Sequence, residues 1–189
     1  MQQNVPVAEP LMQLIPTAIP DVLLLQPKVF SDERGYFLQS FQQQQYETLL
    51  ARPLHFVQDN HSHSKQGVLR GLHYQIQNPQ GKLVRVVRGA VFDVAVDIRQ
   101  DSPTFGQWAG IELTEDNHKQ FWVPPGFAHG FQVTSDSADF EYKCTEYYYP
   151  EDEACIRWDD QTLNIDWPLP QPVLSPKDAT APSFAELFK

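Results

Sequence analysis

Short runs of apolar and β-branched residues, separated by proline- and glycine-rich breaks, recur along most of this chain. The clearest runs cover Val22–Leu25, Tyr36–Phe41, Leu83–Val87, Ala90–Ile98, Trp108–Leu113, Gln120–Val123, His129–Val133 and Phe140–Tyr148. Such spacing predicts antiparallel strands, and a doubly wound α/β fold is excluded because helices between the strands are missing. We therefore expect an all-β protein, a jelly roll or antiparallel sandwich with a few short helices.

The chain of 189 residues is long enough for one domain that buries most of its own apolar surface. Residues 1 to 16 are polar with scattered prolines, which predicts a loose N-terminal extension ahead of a single domain over 17–189. Gln42–Leu50 is the best helix candidate, and Ser183 can cap a short closing helix through Phe188. Arg88-Gly89, between two strand-like runs, predicts a hairpin turn.

The composition argues against several classes of protein. A balance of 14 basic against 24 acidic residues gives a net charge of −10, which disfavours a nucleic-acid binder. No apolar run is long enough to cross a bilayer, and no basic segment with an apolar core marks a secretory signal. Cys144 and Cys155 lack CxxC spacing and are expected to be reduced thiols, so we expect a cytoplasmic protein without membrane partners.

Two carboxylates alternate with apolar residues in the strand Ala90–Ile98. Asp93 and Asp97 share one face of this strand, and Phe92, Val94 and Val96 share the other. Either the carboxylates line a polar cavity inside the fold, or they lie on a solvated face. The residues alone leave both interpretations open.

The histidines suggest a metal site first. His61 and His63 stand at alternate strand positions, and His73 and His129 follow later in the chain. No carboxylate comes soon after His63, however, and Lys65 in that segment would repel a cation. The pattern therefore disfavours a metal site, although it does not exclude one.

The stretch Val68–Lys82 suggests acid–base chemistry instead. His73 can act as a base at neutral pH, since an unperturbed imidazole titrates near ~6.5. Lys82 or a histidine N–H could stabilise an oxyanion beside the abstracted proton, and Tyr142 could return a proton. Arg70 and His73 would point to opposite faces of a regular strand, so a bulge at Gly71 is expected if they act together. A core histidine with a snorkelling arginine remains the alternative.

A few cations could bind a small anion despite the acidic composition. Arg34, Arg70 and Lys177 are the candidates, because arginine suits a diphosphate by donating two parallel hydrogen bonds. Neither a P-loop nor a strand-linked GxGxxG motif is present. The aromatic residues from Tyr142 to Tyr149 could stack on a base, or they could simply pack in a sheet.

Eight segments follow one another along the chain: FSDERG (30–35), FVQDNHS (56–62), VLRGLHYQ (68–75), QGK (80–82), VFDVAVDIR (91–99), SPTFG (102–106), PPGFAHGF (124–131) and SPKDA (175–179). Taken together and in this order, they resemble the dTDP-4-dehydrorhamnose 3,5-epimerase family. The resemblance covers roughly residues 15 to 181. Several separate motifs in a fixed order are far more specific than any one of them.

The resemblance implies a cupin-like jelly-roll homodimer that needs no metal and no organic cofactor and acts on a dTDP-sugar, dTDP-4-dehydro-6-deoxy-glucose. It implies that His73 is the base for C3 and C5, that Asp178 orients it, that Lys82 stabilises the enolate and that Tyr142 is the proton donor. It also implies a set of substrate-binding residues, with Tyr148 stacked on thymine: Arg34, Gln39, Gln58, Asn60, Arg70, His129, Tyr148, Glu153 and Lys177.

One position departs from the family pattern. Gln39 stands where family members usually carry glutamate, so we expect altered contacts with the base and retained activity. Other hypotheses are a sugar 3,4-ketoisomerase of the same fold, a metal-dependent cupin enzyme and a non-catalytic sugar-nucleotide binding module.

Overall fold

A computed structural model describes residues 10–189 as two antiparallel sheets packed face to face, with a small separate hairpin. The strands are β1 (Met12–Pro16), β2 (Leu23–Pro27), β3 (Val29–Asp32), β4 (Gly35–Leu38), β5 (Gln58–Lys65), β6 (Leu69–Gln75), β7 (Lys82–Arg88), β8 (Ala90–Asp97), β9 (Trp108–Thr114), β10 (Gln120–Val123), β11 (Phe127–Val133), β12 (Ser137–Cys144) and β13 (Glu153–Cys155). The helices are α1 (Gln43–Leu49), α2 (Pro176–Ala179) and α3 (Phe184–Leu187).

The six-stranded sheet has the order β1-β2-β10-β7-β12-β5, and the five-stranded sheet has the order β13-β6-β11-β8-β9. Apolar side chains from the facing surfaces form the central core, among them Val84, Phe121, Phe131 and Phe140. Alternation along each strand sends every second residue into this interior. The predicted all-β jelly-roll class is confirmed, and so are the helix after residue 42 and the closing helix after Ser183.

The predicted hairpin at Arg88-Gly89 is wrong. β7 pairs with β10 and β12 in one sheet, whereas β8 pairs with β9 and β11 in the other. Gly89 therefore carries the chain across the sandwich, with φ +78, and a Cβ there would lie 2.0 Å from the carbonyl oxygen of Ser137. Glycine is as necessary for this crossing as for a hairpin turn, so the local sequence does not distinguish the two.

The N-terminal region also differs from its prediction. Residues 1–9 of the expected extension lie outside the described residues, but Met12–Pro16 form β1 and pair with β2. Met12 is buried, while the four residues after it are exposed, which explains why no alternation is visible in the sequence. The division into an extension and a domain starting at residue 17 remains a prediction.

The irregularity expected at Gly71 is confirmed. The pairing of β6 with β11 changes register between His129 and Phe131, opposite Gly71. Gly71 has φ +129, and a Cβ on it would come within 2.6 Å of Gly130 Cα. A side chain at this point would push β6 and β11 apart, so glycine is required here. The irregular strand allows Arg70 and His73 to face the same cleft.

Candidate active site

A cleft of about 410 Å³ opens where β6 and β13, at one edge of the five-stranded sheet, approach the β5 edge of the other sheet. Arg70 bridges the two edges by donating a hydrogen bond from Nε to Ser64 Oγ at 3.1 Å. The charged residues that line the cleft are Arg70, His73, Glu153, Lys177 and Asp178. All five are among the residues that the family resemblance selected.

His73 and Asp178 form a close pair in this cleft. The Nε2 atom of His73 lies 2.7 Å from Asp178 Oδ1, although the residues are 105 positions apart. Asp178 is held in α2, where its backbone N–H donates to the N-cap Ser175, and its side chain is almost fully buried. Burial raises the pKa of this carboxyl, but the hydrogen bond and charge of His73 outweigh burial and lower it. The carboxylate therefore stays ionised and accepts the Nε2 proton.

The other imidazole nitrogen faces the cleft. His73 Nδ1 lies 3.8 Å from Glu153 Oε1, beyond hydrogen-bond distance, and the side chain is 28% exposed. With the proton on Nε2, the lone pair on Nδ1 is available to accept a proton from a bound molecule. This arrangement equips His73 as an oriented base.

Cys155 lies behind this pair, in a place that the sequence did not predict. It stands directly opposite His73 in the pairing of β13 with β6, and its Sγ lies 3.6 Å from Asp178 Oδ1. Burial raises the pKa of the Cys155 thiol to about 12, with the charge of Asp178 acting in the same direction. The thiol is therefore protonated and donates a weak hydrogen bond to the carboxylate.

A second histidine–carboxylate pair lies deeper between the sheets. His129 is the cross-strand neighbour of His73, and its Nε2 lies 2.9 and 3.1 Å from the oxygens of Asp93. The Asp93 side chain is fully buried, which decides between the two interpretations of the alternating carboxylates on β8. The predicted site did not include Asp93. Its position as a carboxylate within a strand of β-branched residues was the sequence signal that could have identified it.

Lys82 and Tyr142 come from the facing sheet. The Lys82 Nζ lies 5.9 Å from the centre of the Tyr142 ring. Burial lowers the pKa of Lys82, while the negative charges of Asp93 and Glu153 oppose this shift. Burial raises the pKa of Tyr142 to about 12, so its hydroxyl keeps its proton at neutral pH. Lys82 therefore offers an N–H donor whether it is charged or neutral, and Tyr142 offers a phenolic proton. Both groups lie opposite the five-stranded sheet.

A polar network, here called the outer cleft, borders the lining residues Glu153 and Lys177. The backbone N–H of Tyr148 donates to Gln58 Oε1 at 3.0 Å, and Gln58 Nε2 donates to Asn60 Oδ1 at 3.0 Å. The Tyr148 hydroxyl donates to Glu153 Oε2 at 2.8 Å, and Lys177 contacts the same carboxylate oxygen. Tyr148 is 47% exposed as a whole residue, so it is accessible to a bound molecule.

The structure does not bring Arg34 and Gln39 to this cleft. Arg34 is 85% exposed and pairs with Asp32, and Gln39 donates to Gln45 at 2.5 Å. Neither hydrogen-bonds to another predicted site residue within residues 10–189. Arg34 lies in the β3–β4 hairpin, whose exposed aromatic side chains are Phe30, Tyr36 and Phe37.

The four histidines considered for a metal site are not brought together. His61 and His63 point outward from β5, where both contact Asp139, whereas His73 lines the cleft and His129 is buried against Asp93. A metal site that joins all four histidines is therefore ruled out.

In the described part of the chain, no helix has the length and apolar character needed to cross a membrane.

Comparisons with known proteins agree with this geometry. The family model described as dTDP-4-dehydrorhamnose 3,5-epimerase matches residues 16–186. The enzyme of that name from Salmonella typhimurium is 59% identical over 91% of this chain and 95% of its own length. The one from Pseudomonas aeruginosa is 56% identical over 89% of this chain and 94% of its own length.

A solved structure shows the same fold. The dTDP-6-deoxy-D-glucose-3,5-epimerase of Legionella pneumophila, in complex with dTDP-4-keto-L-rhamnose, has a TM-score of 0.90 and 57% identity, over 94% of this chain and 97% of that one. A more distant neighbour is a 3'-monoepimerase from Streptomyces bikiniensis in complex with dTDP-quinovose, with a TM-score of 0.85 and 32% identity over 90% and 87% of the two chains. On the extent of these matches, the chain belongs to the dTDP-4-dehydrorhamnose 3,5-epimerase family.

Proposed function

We propose that this protein catalyses epimerisation at C3 and C5 of dTDP-4-dehydro-6-deoxy-α-D-glucose, giving dTDP-4-dehydro-β-L-rhamnose for dTDP-L-rhamnose biosynthesis. The observation that carries the proposal is the His73–Asp178 pair, which leaves Nδ1 of the imidazole facing the cleft. Family membership supplies the substrate class, and the geometry supplies a base that needs no electron sink other than the substrate's own ketone.

Each epimerisation proceeds through an enolate. The C–H bond next to the C4 ketone breaks, its proton passes to His73 Nδ1, and its electron pair moves onto the ketone oxygen. Asp178 stabilises the imidazolium that forms, as a carboxylate does for a catalytic histidine in other enzymes. Lys82, with His129 close by, donates to the enolate oxygen and so lowers the barrier to proton abstraction.

Reprotonation from the opposite face completes the inversion. Tyr142 lies on the six-stranded sheet, and His73 lies on the five-stranded sheet, so a sugar between the sheets meets one residue on each face. The Tyr142 hydroxyl gives its proton to the carbanionic carbon, and the electron pair returns from the oxygen to reform the ketone. The raised pKa of Tyr142 keeps it protonated until this step.

The nucleotide part of the substrate is assigned to the outer cleft. Arg70 and Lys177 supply positive charge for the diphosphate, with Arg70 able to donate two parallel hydrogen bonds. Tyr148 offers its ring for stacking on thymine, and Gln58, Asn60 and Glu153 supply polar contacts.

Solvent exchange tests this function. Incubated with the dTDP-4-keto sugar in D2O, the protein should place deuterium at both C3 and C5. The structural likeness to a 3'-monoepimerase makes label at C3 alone the specific competing result. Movement of the ketone from C4 to C3 would instead indicate a 3,4-ketoisomerase, and the absence of exchange would contradict the proposal.

We also propose that the protein works as a homodimer in the cytoplasm. The β3–β4 hairpin exposes Phe30, Tyr36 and Phe37 together with Arg34, away from the cleft of its own chain. A second copy would cover these aromatic side chains and receive Arg34 and Gln39 into its cleft. The two cysteines are free thiols, which supports a reducing compartment.

Mixing two variants tests the exchange of Arg34 between chains. In a mixed dimer of Arg34→Ala and His73→Ala chains, one of the two clefts would hold both native residues. Unfolding and refolding the two variants together should therefore restore about a quarter of the wild-type rate at low substrate concentration. A rate equal to the average of the separate variants, or a monomer in light scattering, would refute the proposed exchange.

A further inference from the structure

Three side chains of different chemistry converge behind the cleft. A ring nitrogen of His73, a carboxylate oxygen of Asp178 and the Sγ of Cys155 all lie within 4.8 Å of one another. Over residues 10–189 this is the one group of three or more histidine, cysteine and acidic side chains that is so closely spaced. The proposed epimerisation uses the histidine and the carboxylate but has no use for the thiol.

The three atoms are supplied by well-ordered elements of the fold. Cys155 and His73 are directly paired residues of β13 and β6, so their side chains emerge side by side from one face of the sheet. Asp178 is fixed in α2, where its backbone N–H is capped by Ser175 at 3.1 Å. The group is therefore held together by backbone pairing and capping, and not by flexible loops.

The spacing suits a tetrahedral zinc ion. With Zn–S of about 2.3 Å and Zn–N or Zn–O of about 2.0–2.2 Å, the ligand atoms of a tetrahedral site are about 3.3–3.6 Å apart. Sγ already lies 3.6 Å from Oδ1, and Nε2 at 2.7 Å from Oδ1 must separate by only a fraction of an ångström. Thiolate, imidazole and carboxylate form a mixed ligand set that favours Zn²⁺ over Mg²⁺ or Ca²⁺.

We propose that His73, Asp178 and Cys155 form a binding site for Zn²⁺, and that the bound ion switches the catalytic base off. His73 and Asp178 line the cleft, so the ion enters from solvent, and water completes its coordination. On binding, the thiol proton leaves to solvent and Cys155 coordinates as thiolate, while Asp178 coordinates as the carboxylate it already is.

The proposed inhibition by the bound ion rests on the proposed function. It depends on which of the two ring nitrogens of His73 carries the proton. A neutral imidazole carries a single N–H proton, so coordination of the ion through Nε2 requires the tautomer in which that proton has moved, through solvent, from Nε2 to Nδ1. Nδ1 is the nitrogen that faces the cleft. Nδ1 becomes a donor and can no longer take a proton from the substrate, so the ion lowers kcat and does not need to compete for the sugar site.

Cobalt substitution tests the site without reference to turnover. The metal-free full-length protein is titrated with Co²⁺, and the near-ultraviolet thiolate-to-cobalt charge-transfer band is recorded. The band should appear in the wild type, vanish in Cys155→Ser and persist in Cys144→Ser. Cys144 is the matched control, because it is also a buried free thiol but belongs to β12. Zn²⁺ added afterwards should displace Co²⁺ and abolish the band.

Inhibition by Zn²⁺ then tests whether the bound ion switches the catalytic base off. Each variant is compared with its own metal-free rate, and the Zn²⁺ concentration for half inhibition should rise on the order of 10- to 100-fold in Cys155→Ser but not in Cys144→Ser. Cys155→Ala, checked for folding by circular dichroism, provides a second variant. A band that survives in Cys155→Ser, or a band lost in Cys144→Ser, would overturn the site. A correct band with equal zinc inhibition in wild type and Cys155→Ser would overturn the switch alone.

Discussion

Asp93 and Asp97 lie four residues apart on β8, share one face of the strand, and both have fully buried side chains. Asp93 contacts one titratable partner, His129, beside the cleft. Asp97 accepts hydrogen bonds from Arg99, Ser102 and Thr104 at 2.5–2.8 Å, and Arg99 in turn pairs with Asp21. Equal burial therefore does not imply equal function.

The partners decide what each carboxylate does. A permanently charged guanidinium and hydroxyl donors lock Asp97 in one protonation state, so the group can only stabilise the fold. A histidine can gain or lose a proton near neutral pH, so Asp93 and Asp178 sit beside groups that can take part in chemistry. The comparison predicts that substitutions near the cleft reduce rate, and that substitutions around Asp97 reduce stability.

The largest effect is expected for His73→Ala. On the proposed role of His73 as the base, its loss should lower kcat by on the order of 10²- to 10⁴-fold, the range usual for a general base. The melting temperature should also fall, because the buried Asp178 carboxylate loses a hydrogen-bond partner, so kcat is compared per folded molecule. Steady-state kinetics and a melting curve measure both. His63→Ala, an exposed histidine on β5, is the control and should keep the wild-type rate.

Asp97→Asn should have the next largest effect, on the free energy of unfolding. Removing the charge weakens the buried hydrogen bonds from Arg99, Ser102 and Thr104, whereas Arg99 keeps its pairing with Asp21 and is partly exposed, so the loss should be about 1–3 kcal/mol. Urea unfolding measures the loss, while kcat per folded molecule should stay at the wild-type value. If Asp97→Asn instead kept the wild-type stability and lowered kcat, Asp97 would serve the reaction and not the fold, which would contradict the roles assigned to Asp93 and Asp97.

Acid unfolding sharpens the same prediction. Burial raises the pKa of Asp97, but the hydrogen bonds from Arg99, Ser102 and Thr104 hold it well below its usual range. A depressed folded pKa means that the stabilisation is present above the unfolded pKa of about 3.9 and is lost as pH falls through the folded pKa. The free energy of unfolding of the wild type should therefore fall below about pH 4, and that of Asp97→Asn should fall less steeply.

Asp93→Asn should have a moderate effect on rate. Asparagine keeps the size of the side chain but cannot hold a charge beside His129, so the polar surroundings of the enolate oxygen change without a cavity. Because Asp93 acts through His129, we expect kcat to fall on the order of tenfold, less than for the direct loss of an oxyanion donor. Kinetics at saturating substrate measure this, and an unchanged kcat would place Asp93 with Asp97 as a structural group.

The smallest effect is expected for Gln39→Glu, which restores the residue usual in the family. Gln39 lies away from the cleft of its own chain and bonds to Gln45. The change should alter KM for the dTDP-sugar by less than about tenfold, equivalent to less than about 1.4 kcal/mol of binding free energy, and leave kcat unchanged. A large change in kcat would show that Gln39 acts on the chemistry and not on the nucleotide.

Local patterns in the sequence were sufficient for most of the strands, for α1 and α3 and for the irregular point at Gly71, but not for β1, β13 and α2. They depend on side-chain alternation, capping residues and the freedom of glycine, which act over a few neighbouring residues. The motifs were also sufficient to select the residues that line the cleft, because the family resemblance covers nearly the whole chain. The crossing at Gly89 was misjudged, since its glycine suits a hairpin equally well.

The partners of the buried groups beside the cleft depended on tertiary structure. Asp97 finds Arg99, Ser102 and Thr104 within seven residues of itself in sequence, whereas Asp93 meets His129 only because β8 pairs with β11. Likewise, Cys155 meets Asp178 and His73 only because β13 pairs with β6 and α2 packs beside them. A residue's chemistry follows from its partners, and partners that are distant in sequence are chosen by how the sheets pack.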